Sequence, residues 1–405
     1  MKMSISKTLL ILCTLLSANL CASELSRYTT QKIVSAQAMA ENGKFHKAIA
    51  ILKSISTNRP YDQAYINRIL GVYFWQADNS DKAIQYLSLA VNSGQLKDRN
   101  AWDTEKMLAE LLLNEQRFKK ALVHYHHLLQ SKEAKDKPVL TLRIAQINYQ
   151  LEKWKSVISS MNSYESYGLP DALTPLSIKL GAELQLHQLK TAIKTVKRII
   201  PLESHSRNWW MQLVSLYLQT NQQKLALSSL ELAHLNHVAL TDKDLRLLSQ
   251  LYAQNGIPEK AARILSTVRD VTTNHKLTIQ LASYWQNAKE WQKARRIWLI
   301  AAGKEKKYLW NVAQIDIQQN HYKKAYTTLQ KLEGHYPEIK LALAKARVLY
   351  RLNRLNSALK LAEKAHKLHP STETRSWIKY LTRLKHYQTQ NNSNNKEKVT
   401  DSQNS

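Results

Sequence analysis

Between Trp209 and Leu235 the chain reads WWMQLVSLYLQTNQQKLALSSLELAHL, and its apolar positions fall into two blocks separated by a polar Thr-Asn-Gln-Gln step. In the first block Trp210, Leu213, Val214 and Tyr217 recur at i, i+3, i+4 and i+7, which places them on one stripe of a helix. In the second block Ala226, Leu230 and Ala233 form another stripe, and the methyl of Ala226 allows a neighbouring helix to approach closely. The pattern predicts a helical hairpin.

The same pattern recurs along the chain. A small residue about one helical turn past a polar turn occurs at Ala48, Ala83, Ala121, Val157, Ala192, Ala226, Ala261, Ala294, Ala325 and Ala358, spaced 31 to 38 residues apart. Thirteen residues earlier stands an apolar side chain in many copies, as at Leu70, Leu108, Ile144, Leu213, Leu248, Leu281 and Val312, usually followed by a small one such as Gly71, Ala109, Ala145, Ala282 or Ala313. Three before the small residue lies a ring or apolar group: Phe45, Phe118, Trp154, Leu189, Trp291, Tyr322 and Leu355. A coiled coil would carry an unbroken heptad without these turns. The fifth copy, around Leu180 and Ala192, is one residue short, which puts its hairpin geometry in question.

This period and residue pattern resemble the tetratricopeptide repeat, whose helix-turn-helix units of about 34 residues stack into a right-handed superhelix. The resemblance implies an all-α solenoid of about ten degenerate repeats over residues 24–370, with Trp210 at the position of the family's first-helix Trp. Pro370 ends the last copy. Beyond it Trp377, Ile378, Leu381 and Leu384 share a face, which predicts a capping helix over 371–388. The polar tail 389–405 has no apolar periodicity and is expected to be disordered.

The first 23 residues stand apart. Lys2 and Lys7 precede an apolar run from Thr8 to Leu16 and small residues at Ala22 and Ser23, the order of a cleaved secretory signal. The run is shorter than the ~20 residues that span a bilayer, and no later run approaches that length. Cleavage near Ser23 leaves 382 of the 405 residues and removes both cysteines, Cys13 and Cys21, which excludes disulfides, thiolate metal sites and a cysteine nucleophile. A lipoprotein signal would acylate Cys21, but Leu20 stands where such signals resemble one another in carrying a small residue. A periplasmic location is therefore expected.

Chemistry-bearing motifs are sparse. The glycines are scattered singly, so no phosphate loop is visible, and neither a nucleophile elbow nor a paired-carboxylate motif appears. His124 and His127 share a helix face at i, i+3, but with no carboxylate nearby in sequence they are read as flanking an inward Tyr125 rather than as metal ligands. Trp75, Trp102, Trp209, Trp298 and Trp310 are not absorbed by the repeat core and are candidates to reach the surface. The expectation is a non-catalytic protein with no cofactor and no metal.

The charge changes the picture of partners. The formal net charge is +28, and +26 once Lys2 and Lys7 are removed. Such a field draws anionic partners in a salt-dependent way. Export makes nucleic acid a poor partner and leaves acidic protein segments and anionic envelope surfaces. The first helices of such a solenoid line its concave face, and the positions there not consumed by packing in the pattern are Tyr65, Arg68, Trp75, Lys243, Arg246, Trp310, Lys340, Arg347 and Tyr350. A basic groove dotted with rings suits an extended acidic peptide.

The phrases LLLNEQRFKKAL (111–122), YQLEKWKSVI (149–158), NWWMQLVSLYLQ (208–219), DKDLRLLSQLYAQNGIPEKAARIL (242–265) and YWQNAKEW (284–291) further resemble the secreted tetratricopeptide protein of marine gammaproteobacteria that accompanies TonB energy-transduction clusters. That resemblance implies a periplasmic scaffold mediating protein-protein interaction, accessory to TonB-dependent iron-siderophore transport, with TonB-complex components among its partners. The runner-up is a scaffold for pilus, polysaccharide or cell-wall machinery, and the third reading is a cell-wall enzyme with an unrecognised site.

Overall fold

The structure, a computed structural model, describes residues 25–134 and 136–401, with the backbone alone for Asp98 and residues 390–401. The segment expected to be a signal and both cysteines lie outside the described residues.

Ten antiparallel helix pairs follow one another, and no strand occurs among the described residues. The pairs are α1 (Arg27–Glu41) with α2 (Phe45–Lys53), α3 (Pro60–Gln76) with α4 (Ser80–Asn92), α5 (Asp98–Asn114) with α6 (Phe118–Gln130), α7 (Lys137–Gln150) with α8 (Trp154–Glu165), and α9 (Leu173–Gln185) with α10 (Leu189–Ile199). They continue with α11 (Arg207–Gln219) and α12 (Gln223–Leu235), α13 (Asp242–Gln254) and α14 (Pro258–Ser266), α15 (His275–Asn287) and α16 (Trp291–Lys304), α17 (Leu309–Gln318) and α18 (Tyr322–Gln330), and α19 (Glu338–Arg351) and α20 (Leu355–Leu368). A last helix, α21 (Thr372–Asp401), closes the chain. The architecture is an all-α solenoid of tetratricopeptide type. It divides into two compact units, one ending at Ser204 and the other beginning at His205.

All ten small residues of the repeat are completely buried, each at 0% exposure from Ala48 to Ala358. The apolar residues thirteen positions earlier are buried with them, and each small side chain lets its second helix settle onto the first helix of its own pair. At Gly71 the approach is closer still: a Cβ there would lie 2.5 Å from Leu87 Cγ, so only glycine fits. Fully buried leucines such as Leu230 contribute about 1.5–3 kcal/mol each relative to exposure.

One turn joins the helices in all ten pairs. Five residues before the small residue the backbone enters the left-handed region, at Gly43, Asp78, Gln116, Glu152, His187, Asn221, Gly256, Lys289, Asn320 and Asn353. The next residue's N–H then reaches back five residues to a carbonyl of the first helix, as in Asn79 N to Phe74 O at 2.8 Å and Gln222 N to Tyr217 O at 2.8 Å. This closing bond satisfies a carbonyl that the helix end would leave orphaned. The fifth pair has the same turn, with His187 at φ 54° and Gln188 N on Glu183 O at 2.8 Å, so its hairpin is regular despite the shortened sequence spacing.

The end of the chain departs from expectation. The capping helix does not stop at residue 388: α21 runs on to Asp401, so the segment expected to be disordered is helical through that residue. In its N-terminal half Leu381 is fully buried, with Trp377, Ile378 and Leu384 packed around it against Ala346, Leu349, Ala358 and Ala362.

Candidate partner-docking surface

Within the second unit, α19 and α21 bring together a cluster of rings and cations. On α19, Arg347, Tyr350 and Arg351 lie three and four residues apart; on α21, Glu373, Trp377 and Tyr380 do the same, so each set shares one helix face. The Arg347 guanidinium donates to Glu373 Oε1 at 2.6 Å and lies 5.6 Å from the Trp377 ring centroid. Tyr350 meets Trp377 and Tyr380 edge-on, at 6.2 Å and 5.6 Å between centroids, and its hydroxyl is 2.8 Å from that of Tyr380. The hydrogen bond with Tyr350, aided by desolvation, pushes the Tyr380 phenol above its ordinary range. Arg351 lies 5.8 Å over the Tyr350 ring.

The cluster faces solvent. The Arg347 and Glu373 side chains are 54% and 56% exposed and Tyr380 is 45% exposed. An ion pair so exposed is worth at most about 1 kcal/mol, so a partner carboxylate can replace Glu373 on Arg347 at little cost. The rings supply amphipathic contact area beside it.

The nine groove candidates are distributed unevenly. Tyr65, Arg68 and Trp75 belong to the first unit and the other six to the second. Tyr65 and Arg68 are not free for docking: they are 4% and 2% exposed, because Tyr61 stacks on Tyr65 at 6.3 Å and the Arg68 guanidinium lies 5.5 Å over the same ring. Trp75 is half-buried and lines a small apolar crevice with Gly71, Leu87, Met107 and Leu111. Lys243 and Arg246 are exposed on α13, Arg246 donating to its own helix at Asp242 O. Trp310 stacks on Tyr336 at 4.4 Å, and Lys340 is exposed at the start of α19. Of the nine, only Arg347 and Tyr350 meet in the ring cluster; its remaining members, Arg351 on α19 and Glu373, Trp377 and Tyr380 on α21, carry no signal beyond their helical spacing. Of the unabsorbed tryptophans, Trp102 and Trp298 are buried, Trp298 donating to Gln286 Oε1 at 2.7 Å.

The histidine pair has a carboxylate after all. Glu105, from the preceding helix α5, places its two oxygens on the Nδ1 atoms of His124 and His127, at 3.0 Å and 2.5 Å. Burial pushes the Glu105 carboxyl up, and the two histidines outweigh it, leaving it below the usual range. Both carboxylate oxygens are thereby engaged. Among the described residues no group of three or more His, Cys, Asp and Glu side chains is arranged to hold a metal ion, and no helix is long and apolar enough to cross a membrane.

No family model matches this chain, and no curated protein matches it. Among solved structures, MamA from Desulfovibrio magneticus RS-1 is similar at 14% identity over 44% of this chain and 97% of that chain, with a TM-score of 0.34. A tetratricopeptide repeat protein from Parabacteroides merdae ATCC 43184 is similar at 13% identity over 69% of this chain and 98% of that one, with a TM-score of 0.26. The fold assignment stands on the chain's own tenfold repeat and turn geometry.

Proposed function

We propose that this chain is a non-catalytic scaffold that docks an extended acidic segment of a protein partner on the Arg347, Tyr350, Trp377 and Tyr380 surface. The observation that carries the reading is the exposed Arg347, paired to an exposed Glu373, beside three mutually edge-on rings. A partner carboxylate takes the place of Glu373, and the rings pack against the segment's backbone and side chains.

The wider setting of the proposal is the bacterial envelope. The N-terminal charge and apolar order supports export to the periplasm, and the phrases shared with TonB-associated tetratricopeptide proteins support an accessory role in TonB-dependent transport. The direct experiment compares the mature protein with Arg347→Glu/Tyr350→Ala for capture of TonB-cluster proteins and for calorimetric binding of a Glu- and Asp-rich peptide, the fold being checked by circular dichroism. Loss of both with retained fold is expected. Unchanged capture and peptide binding would overturn the assignment of this surface, and a native N-terminus carrying an acylated Cys21 would overturn the location.

A further inference from the structure

Between the two sets of turns the positive charge is segregated to one end of the hairpins. The ten six-residue turns between first and second helices, from the left-handed residue to the small residue (43–48 in the first pair, 353–358 in the last), hold sixteen Lys and Arg against five Asp and Glu, a net of +11. The ten connections from a second helix to the next first helix have nearly the same total length, yet hold eight against seven, a net of +1. Because successive helices are antiparallel, the first set of turns lies at one end of the stacked pairs of each unit and the second set at the other. Charge that served only to solvate the surface would have no reason to choose an end.

The positions are also costly to the fold. Lys47, Lys119, Lys120, Lys155 and Lys190 lie in the first turns of α2, α6, α8 and α10, where the helix dipole favours anions, and none of these four helices has an acidic residue in its first turn. All five are exposed, and among the described residues none has a carboxylate within 4.0 Å. In the second unit Lys224, Lys323 and Lys324 lie in the first turns of α12 and α18, and Lys289 and Arg354 just before α16 and α20; all five are exposed and, among the described residues, have no carboxylate within 4.0 Å, whereas Lys260 and Lys293 are paired to Glu231 and Glu290. The acids of this end, Asp78, Asp81, Glu152, Glu259 and Glu290, are too few to neutralise it, and Asp81 and Glu259 are already bound to Arg117 and Arg263.

The chemistry of the row selects among anions. Fourteen of its sixteen cations are lysine, whose compact, hydrated charge suits diffuse attraction rather than the bidentate or stacked recognition that arginine provides. The aromatic rings at this end, Phe45, Phe118, Trp154, Trp291 and Tyr322, are half-buried against the repeat instead of projecting as platforms for bases or sugars. We propose that in each unit the first-to-second turns form an electrostatic contact surface for the anionic headgroups of a lipid bilayer, built from other residues than the ring cluster on α19 and α21, so that each unit meets a membrane by this end without inserting.

The test uses the mature chain and vesicles of phosphatidylcholine with or without phosphatidylglycerol, read by co-flotation at low and high salt. Wild type should bind only the phosphatidylglycerol vesicles, with affinity falling steeply as salt rises. The variant Lys47→Glu/Lys119→Glu/Lys155→Glu/Lys190→Glu should lose roughly a thousandfold in affinity, and its Tm should hold or rise, since carboxylates suit those first turns; lost binding is then not unfolding. Lys97→Glu/Lys132→Glu/Lys306→Glu/Lys331→Glu, at the opposite end, should lose much less. Equal losses in the two variants, salt-insensitive binding, or capture of soluble polyglutamate with no vesicle binding would each overturn the membrane assignment. Arg347→Glu/Tyr350→Ala should keep vesicle binding, which separates failure here from failure of the peptide surface.

Discussion

Asn221, in the left-handed conformation at φ 57°, stands five residues before Ala226, which has no exposed surface, and the same two-residue relationship sets the geometry of all ten hairpins. The left-handed residue ends the first helix, and the buried small residue fixes how closely the second helix returns. Only two of the ten turns use glycine, at Gly43 and Gly256.

The other eight turns therefore carry conformational cost, on the order of 1 kcal/mol for a residue with a Cβ. Glu152→Gly and His187→Gly should each raise stability by up to about 1 kcal/mol, and Gly256→Ala should lower it by a similar amount. Urea titrations of the three variants check this. Destabilisation by both glycine substitutions would show that Glu152 and His187 hold their turns through side-chain contacts instead.

The Ala226 methyl is predicted to touch α11 of its own hairpin. Ala226→Leu should cost ~1–3 kcal/mol by overpacking, and Ala226→Arg should cost more because its charge has no partner there. Thermal melts decide the matter: an Ala226→Arg protein melting with wild type would be incompatible with the register described.

How much was legible follows from these two residues. Ala226 could be read because close packing demands a small side chain at every repeat, so the constraint is written in one residue class. Asn221 could not, because its position asks only for a tolerated backbone angle, and Asp, Gln, Glu, His, Asn and Lys all occupy it in different copies. Glu105 escaped as the partner of His124 and His127 because it lies 19 and 22 residues away, on the other helix of the pair. The converse holds at Tyr65 and Arg68, whose repeat position suggests an open surface, whereas a ring-on-ring and cation-on-ring stack fills it. The partner itself is not written in the repeat, since packing positions constrain the fold and leave the exposed ones free.

Asp244 should be a site of high sensitivity. It is 1% exposed, takes two hydrogen bonds from Arg207, at 2.6 and 2.8 Å, and closes a capping box with Thr241 at the start of α13. Burial pushes its carboxyl up, but Arg207 and Thr241 outweigh that and hold it below the ordinary aspartate range. A depressed carboxylate contributes stability above its unfolded pKa and loses it as pH falls through the folded value. Asp244→Ala should cost roughly 2 kcal/mol at pH 7, through the lost cap and the lost charge-assisted hydrogen bonds, and the gap to wild type should narrow in acid. A gap that stays constant down to pH 3 would mean that lost packing, not charge, accounts for the effect.

Glu183 gives the opposite pH signature. It is 2% exposed and one carboxylate oxygen, Oε2, is buried without a hydrogen-bond partner. Burial pushes its carboxyl above the usual range, with Thr195, Lys179 and Thr191 pulling it back and Glu165 adding to the rise. A raised carboxyl favours folding below its unfolded pKa, and that contribution is lost as pH rises through the folded value. At pH 7 the charged form therefore weakens the fold, and Glu183→Gln should melt higher than wild type, with the advantage shrinking toward pH 4 as the native carboxyl takes up its proton. Melting curves of the two proteins across that range supply the test. An advantage that grows in acid, or a glutamine variant less stable at neutral pH, would show that the carboxylate is satisfied by its threonine neighbours and that burial is not the dominant influence on it.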